Sequence, residues 1–308
     1  MVRLLGILIG FGLVFVATWS FVSNTWDYLN DEKHENVYHE FHEHPRDIAF
    51  AHDGPFGTFN RQQLQRGFQV YQQVCASCHS LSYVAFRNLH DLGYNEDEVK
   101  ALAAQFQVPD VNQQTGEPAA RPGLPADRFP SPYPNEVAAR AGNNNAVPPD
   151  LSLIVKARHG GAQYVASLLT GYRDPATYRN HDGHALPEDA RPGENLFFNP
   201  YFPNLNLAMR PPLSDNAVTY SDGTPATVDQ MAQDVAAFLT WTAEPNLQRR
   251  HRAGIAVTIF LIFASLLAWL AYKNVWASAK RQVRATGPLD PENMAKNEVS
   301  KRDAGIEG

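Results

Sequence analysis

Cys75 and Cys78 are the only thiols in this chain of 308 residues, and His79 follows them directly in "QVYQQVCASCHSLS". Three chemistries use such a pair: a disulfide, half of a zinc site, or thioether attachment of a haem. Zinc needs two further ligands, and no second cysteine pair supplies them. A redox-active Cys-x-x-Cys normally follows a strand and leaves the histidine incidental, whereas the residues before Cys75 have helical spacing. Two thiols at i and i+3 on one helical turn point the same way, so both can add to the vinyl groups of one porphyrin. The adjacent imidazole then falls under the iron. Of the three chemistries, attachment of one c-type haem fits these residues best.

A second axial ligand must come from elsewhere, as methionine or histidine. The chain has four methionines. Met1 is the first residue, Met294 lies in the C-terminal tail, and Met231 falls on an apolar helical face where it fills core. Met209, in the proline-bounded "PNLNLAMRPPL", is the stronger candidate, because prolines stiffen a loop that must hold a thioether at fixed reach. His159, beside Gly160-Gly161, is its rival. His/Met ligation raises the reduction potential and leaves no open iron position, which points to electron transfer rather than oxygen or peroxide chemistry.

These residues need elements to position them. A helix is expected from Asn60, a plausible N-cap, with Leu64, Gly67, Phe68, Tyr71 and Val74 on one face. The small Gly67 in that stripe would admit a second helix closely. A partner is expected at 224–241, where Val228, Met231, Val235 and Phe238 share a face and Glu244-Pro245 close it. Residues 150–171 read as a helix broken at Gly160-Gly161, while 105–149 and 180–213 have loop composition. No run of alternating strands stands out, so the class is mainly α.

Residues 253–272, "AGIAVTIFLIFASLLAWLAY", are uncharged and long enough, at about 1.5 Å per residue, to cross a hydrocarbon core as a C-terminal transmembrane helix. Residues 1–23 are a second apolar run, read as an uncleaved signal anchor rather than a cleaved signal peptide. Between them lie a His/Glu-rich linker at 24–59, taken as a solvated spacer, and a body at 60–245; a basic tail occupies 273–308. Residues 24–245 carry 15 Lys/Arg against 27 Asp/Glu. Such an acidic body is hard to reconcile with nucleic-acid binding and suits a basic protein partner.

The stretches "RGFQVYQQVCASCHSLSYV", "AARAGNNNAVPPDLSLIVKARHGGAQYVASLLTGY", "FFNPYFPNLNLAM" and "DGTPATVDQMAQDVAAFLTWTAEP", with the single anchor after them, resemble the cytochrome c1 family of bacterial type over about residues 54–284. That family is the haem subunit of the cytochrome bc1 complex (quinol–cytochrome c reductase). The resemblance implies a c-type cytochrome domain with long loop insertions and one covalently attached haem c at Cys75 and Cys78. It implies His79 and Met209 as the iron ligands, Arg158 paired with a haem propionate, and Pro149 and Tyr164 beside the haem. It also implies electrons taken from a Rieske iron–sulfur protein and given to a soluble or tethered cytochrome c, with no independent catalysis. Cytochrome b would be a partner in a dimeric complex of the bacterial cytoplasmic membrane, the haem domain being periplasmic. A membrane-anchored cytochrome serving another dehydrogenase or terminal oxidase is the alternative. Three features depart from the family pattern: Arg210 directly after the candidate methionine, the longer, more acidic segment 181–195, and the N-terminus, read as uncleaved, with its His/Glu-rich linker.

Overall fold

A computed structural model describes residues 2–30, 37–284 and 291–303. The chain is mainly helical. In order it forms α1 (Val2–Asn30), α2 (Val37–Phe41), α3 (Arg61–Gln73), α4 (Glu96–Ala104), β1 (Gln107–Val111), β2 (Pro118–Pro122), α5 (Glu136–Gly142), α6 (Ile154–Ala157) and α7 (Gly161–Thr170). It continues with β3 (Phe197–Phe198), β4 (Asn206–Leu207), α8 (Val228–Ala243), α9 (Leu247–Arg284) and α10 (Pro291–Asp303). By packing, residues up to Ile48 group with Arg61–Ala243, and Ala49–Asn60 group with the residues from Glu244 on.

In the first unit, α3 packs across α8, and α6 and α7 pack on α8 as well. The expected stripe is the buried one: Leu64, Gly67, Phe68 and Tyr71 of α3 meet a face of α8 that hides Met231, Val235 and Phe238. The Phe68 and Tyr71 rings lie 5.7 and 5.9 Å from that of Phe238. Gly67 is where the two backbones come closest. A Cβ there would land on the Asp234 carbonyl oxygen and within 2.6 Å of the Phe238 Cβ. Next to it, the fully buried Asp234 takes Arg66 Nε at 2.8 Å and Nη2 at 3.1 Å, and Gln230 Nε2 at 2.9 Å. A carboxylate out of water needs such complete pairing. Arg66 Nη1 also reaches Asp222 at 2.8 Å.

The break expected at Gly160-Gly161 separates α6 from α7. Both glycines have positive φ, +79° and +50°, and a Cβ at Gly160 would crowd the Pro45 ring at 2.9 Å. The β1–β2 hairpin was not expected. Its strands are almost entirely exposed on both faces, so no face alternates apolar and polar residues to announce it.

The segment taken as a solvated spacer is largely docked. Residues 31–36, His34 among them, lie outside the described residues, but Phe41 is buried with Leu186, Ala190, Phe198 and Leu205. Glu40 holds His184 Nδ1 at 2.6 Å and Asn180 Nδ2 at 3.2 Å, and Tyr178 donates to Glu43 at 2.6 Å. The acidic segment 181–195 is thus folded against α2. Two apolar side chains in a five-residue helix are too few to show a period, so composition suggested a spacer where packing makes a strap.

Among the described residues two helices are long and apolar enough to cross a membrane, over Gly6–Trp26 in α1 and Leu247–Ala277 in α9, and neither apolar window is buried in the protein. A helix of a soluble core would hide those side chains, so both runs suit lipid.

Two predictions follow from the α3–α8 crossing. Alanine in an ordinary helix interior is more stable than glycine by up to about 1 kcal/mol. Gly67→Ala reverses that sign, because overpacking against backbone costs about 1–3 kcal/mol. Denaturant unfolding of the detergent-solubilised protein reads the difference, and an unchanged or raised midpoint refutes the close approach. The second concerns acid. The Thr224 amide, then the Arg66 guanidinium, hold the Asp222 carboxyl at about 2 against an ordinary 3.8. A folded pKa below the unfolded one gives stability that is complete above about pH 4 and lost as pH falls toward 2. Asp222→Asn therefore flattens the fall of the unfolding temperature across that window, and parallel profiles for the two proteins refute it.

Candidate functional site

α3 runs directly into the cysteine motif. A single 3₁₀ turn, Cys75–Ser77, ends the helix, and the Cys78 and His79 amides both bond the Cys75 carbonyl, at 3.1 and 2.9 Å. This tight turn sets the two thiols three residues apart and aims the histidine out of the helix. Both thiols are free and partly buried. Burial, then the neighbouring Cys78, pushes the Cys75 thiol up to about 12. The Tyr133 hydroxyl approaches Cys78 Sγ at 4.0 Å.

His79 is fixed by a residue 70 positions away: its Nδ1 lies 2.8 Å from the Pro149 carbonyl oxygen. A carbonyl only accepts, so Nδ1 carries the proton and Nε2 keeps its lone pair for a metal. Burial lowers the imidazole pKa, which further favours the neutral ring. The Tyr71 hydroxyl donates to the His79 carbonyl at 3.2 Å, tying the motif back to α3.

Asp150 pins this arrangement. Its Oδ2 accepts from Ser80 Oγ at 2.7 Å and the Ser82 amide at 2.8 Å, and its Oδ1 accepts from the Ser152 amide at 2.8 Å. The Leu151 amide bonds the Ser80 carbonyl at 2.9 Å, and the Tyr83 amide bonds Ser152 Oγ at 3.1 Å. Burial alone would raise the Asp150 carboxyl; the bonds from Ser152, Ser82 and Ser80 together outweigh it and hold it below the ordinary range. Residues 79–83 and 149–152 are therefore one clamped pair of segments, and Thr242 of α8 reaches the Ser152 carbonyl at 3.2 Å.

Met209 stands at the end of a second set of contacts. It follows β4 by two residues and is partly buried. β3 and β4 pair Phe197 with Leu207 and Phe198 with Asn206. The hairpin docks on the end of α7 through the fully buried Asn199, whose Nδ2 donates to Leu168 O at 2.7 Å while its Oδ1 accepts from the Tyr201 amide at 3.1 Å. Gly171 permits this, since a Cβ there would strike the Tyr201 ring. The Tyr172 hydroxyl donates to the Met209 carbonyl at 2.9 Å. Burial, then the neighbouring Tyr164, raises the Tyr172 pKa and keeps that donor protonated. Tyr164 is buried on α7, and burial raises its pKa while the nearby Arg158 charge opposes the rise; Arg158 is itself exposed and bonds Ala157 O at 3.1 Å.

The candidate residues thus fall into two linked groups: Cys75, Cys78, His79 and Pro149 on one side, Arg158, Tyr164 and Met209 on the other. His159 is exposed beside the positive-φ turn, and Arg210 is exposed after Met209. Asp150, Tyr172, Asn199 and Tyr133 were not singled out from sequence. An Asp two residues before a Ser, as in "PPDLS", is the local signal of an Asx turn and would have found Asp150. Tyr133 offers no comparable signal. Among the described residues no three His, Cys, Asp or Glu side chains converge as a metal cluster. The donor set is instead one imidazole with a free Nε2, one thioether and two thiols at i and i+3, which suits a covalently held haem.

Comparison with known proteins bears on the same residues. Residues 50–279 match the model of the cytochrome C1 family. The chain is 48% identical over 250 residues to "Cytochrome c1, heme protein, mitochondrial" of Saccharomyces cerevisiae, covering 80% of this chain and 77% of that protein. It is 44% identical over 232 residues to "Cytochrome c1" of Rhodospirillum rubrum, covering 74% and 85%. It is also 44% identical over 247 residues to "Cytochrome b/c1" of Bradyrhizobium diazoefficiens, covering 73% of this chain and 34% of that longer protein.

Asp150→Ala tests the clamp. Charged hydrogen bonds of this kind contribute about 1.5–3 kcal/mol, so the unfolding midpoint falls and the Ser82 and Ser152 amides lose protection. Hydrogen exchange read on peptides spanning 79–84 and 149–153 measures it, and unchanged protection in both would show the carboxylate to be dispensable.

Proposed function

The chain belongs to the cytochrome c1 family, and from that premise we propose that Cys75 and Cys78 hold one haem c by thioether bonds, with His79 Nε2 and the Met209 thioether as its axial ligands. Family membership makes it a membrane-anchored haem protein of electron transfer in the cytochrome bc1 complex; a cytochrome serving an unrelated dehydrogenase or oxidase is not favoured. The bond from His79 Nδ1 to the Pro149 carbonyl is the observation that most supports the ligand assignment, because it leaves the other ring nitrogen unprotonated and able to bind a metal. When bound, the haem supplies a one-electron iron couple. The chain's own residues do the rest. Pro149 orients the imidazole and raises its basicity. Tyr172 and the β3–β4 hairpin hold the Met209 backbone. Arg158, exposed at the end of α6, offers a guanidinium to a propionate, for which its fork is well shaped.

The wider reading is that a Rieske iron–sulfur protein donates the electron and a cytochrome c accepts it, beside cytochrome b in a dimeric assembly. Residues 60–245 form the haem body on the periplasmic side, α9 the anchor over 253–272, and 273–308 the inner tail, with the apolar part of α1 a second anchor. The body's excess of 27 Asp/Glu over 15 Lys/Arg in residues 24–245 steers a basic acceptor.

Met209→Leu is the decisive variant. Loss of the thioether abolishes the low-spin His/Met spectrum, lowers the reduction potential by on the order of 0.1 V or more, and opens the ferrous iron to carbon monoxide. An unchanged spectrum places the sixth ligand elsewhere, with His159 the first residue to replace.

A further inference from the structure

Residues 49–60 build a closed loop with one apolar side chain left outside it. The Thr58 amide bonds the Ala51 carbonyl at 2.9 Å, the Asp53 amide bonds Phe50 O at 3.0 Å, and the Gly57 amide bonds Gly54 O at 3.2 Å. Asp53 Oδ2 accepts from the Phe50 amide at 2.8 Å. His52, only 6% exposed, sits against the Phe50 and Phe59 rings with centroids at 5.1 and 5.3 Å. Gly54 has φ +73°, and a Cβ at Gly57 would run into the His52 carbonyl, so the tip admits no looser path. Phe56, next to Pro55 at that tip, is 79% exposed. No other large apolar side chain among the described residues is more exposed, those of the two membrane-length helices included.

A single exposed phenylalanine is ordinary on a protein surface; this one sits at the tip of a hydrogen-bonded turn that touches the start of α9. The loop packs in the same unit as the start of α9, where His251 Nδ1 meets the Gly57 carbonyl at 3.4 Å. His251 precedes by two residues the uncharged run that begins at Ala253, a rise of about 3 Å. Headgroup layers extend about 5–8 Å beyond the hydrocarbon on each side. Arg249, Arg250 and Arg252 surround His251 and are exposed, while Arg250 also pairs with Glu244 at 3.3 Å.

We propose that the turn 53–57 is a foot on the lipid surface. Phe56 enters the boundary between headgroups and acyl chains beside the start of α9, and Arg249, Arg250 and Arg252 face anionic headgroups. The occupant is lipid rather than protein because the loop touches the start of a helix whose large apolar side chains from Val257 to Trp276 are exposed, and because an apolar tip beside a cationic belt is the pattern of an interfacial anchor. The inference rests on α9 spanning the membrane.

The test uses the full chain in native membranes, with the photoreactive substitution Phe56→p-benzoylphenylalanine and the same residue at Leu266, mid-α9, and at Val137, which is 77% exposed on α5. Phospholipid adducts at positions 56 and 266 and none at 137 are expected, read by mass spectrometry. Lipid adducts at 266 without any at 56 overturn the foot and leave the anchor standing. Adducts from 56 to another protein chain overturn it in favour of a protein contact. Absence of lipid adducts at 266 removes the anchor, and this inference with it.

Discussion

Everything in the haem body hangs on the distance between two backbones at Gly67. With no side chain at that position, α3 lies against the Asp234 turn of α8, and Arg66 brings the buried carboxylate the charge it needs. Because α3 ends in the cysteine turn, the crossing sets where both thiols and His79 emerge. Because α6 and α7 rest on the same α8, it also sets where the Arg158–Tyr164 pair stands and where the Met209 hairpin docks. One close contact therefore references both halves of the site to a single helix. A side chain at Gly67 would displace the two halves relative to one another, which would matter most for the iron that His79 and Met209 are proposed to hold from two sides.

The parts legible in sequence are those written in short-range periods. The cysteine turn, the α3 and α8 stripes, the core role of Met231 and the break at Gly160 all follow from spacing within a few residues. What was not legible is held by bonds of long sequence separation. Asp150 joins Ser80 and Ser82 across about 70 residues, and the Phe41 strap reaches the cluster of Leu186, Ala190, Phe198 and Leu205. Polar residues in loops carry no period: "PPDLS" marks Asp150 as a local Asx-turn residue for Ser152, but nothing in sequence points to Ser80 and Ser82 as its distant donors. The exposed β1–β2 hairpin escaped for the opposite reason: neither of its faces has a core to alternate against.

The linker histidines illustrate how composition misleads when packing is short. His39, His42 and His44 invite a metal reading, but the residues between them do the structural work. Glu40 and Glu43 bond His184, Asn180 and Tyr178, and Phe41 fills the cluster between. The His/Glu-rich stretch and the acidic 181–195 meet in this one contact, which also takes in Phe198 and Leu205, so the strap shares its apolar cluster with the hairpin that precedes Met209.

The two halves of the site differ in how they are held, and the difference has a mechanical consequence. On the histidine side, the proposed ligand His79 is four residues from the first thiol and is clamped through Pro149, Asp150 and Tyr71 by bonds of 2.7 to 3.2 Å. Several independent contacts would have to fail before the imidazole turned. On the methionine side, the hairpin itself is well anchored, through Asn199, Asn206 and the buried Phe198 and Leu205, while Met209, two residues beyond it, is held at its backbone by the Tyr172 hydroxyl. Axial geometry is a strong lever on an iron couple, so with Met209 as the proposed ligand the few residues after β4, the exposed Arg210 among them, are where potential would be tuned with the hairpin left in place.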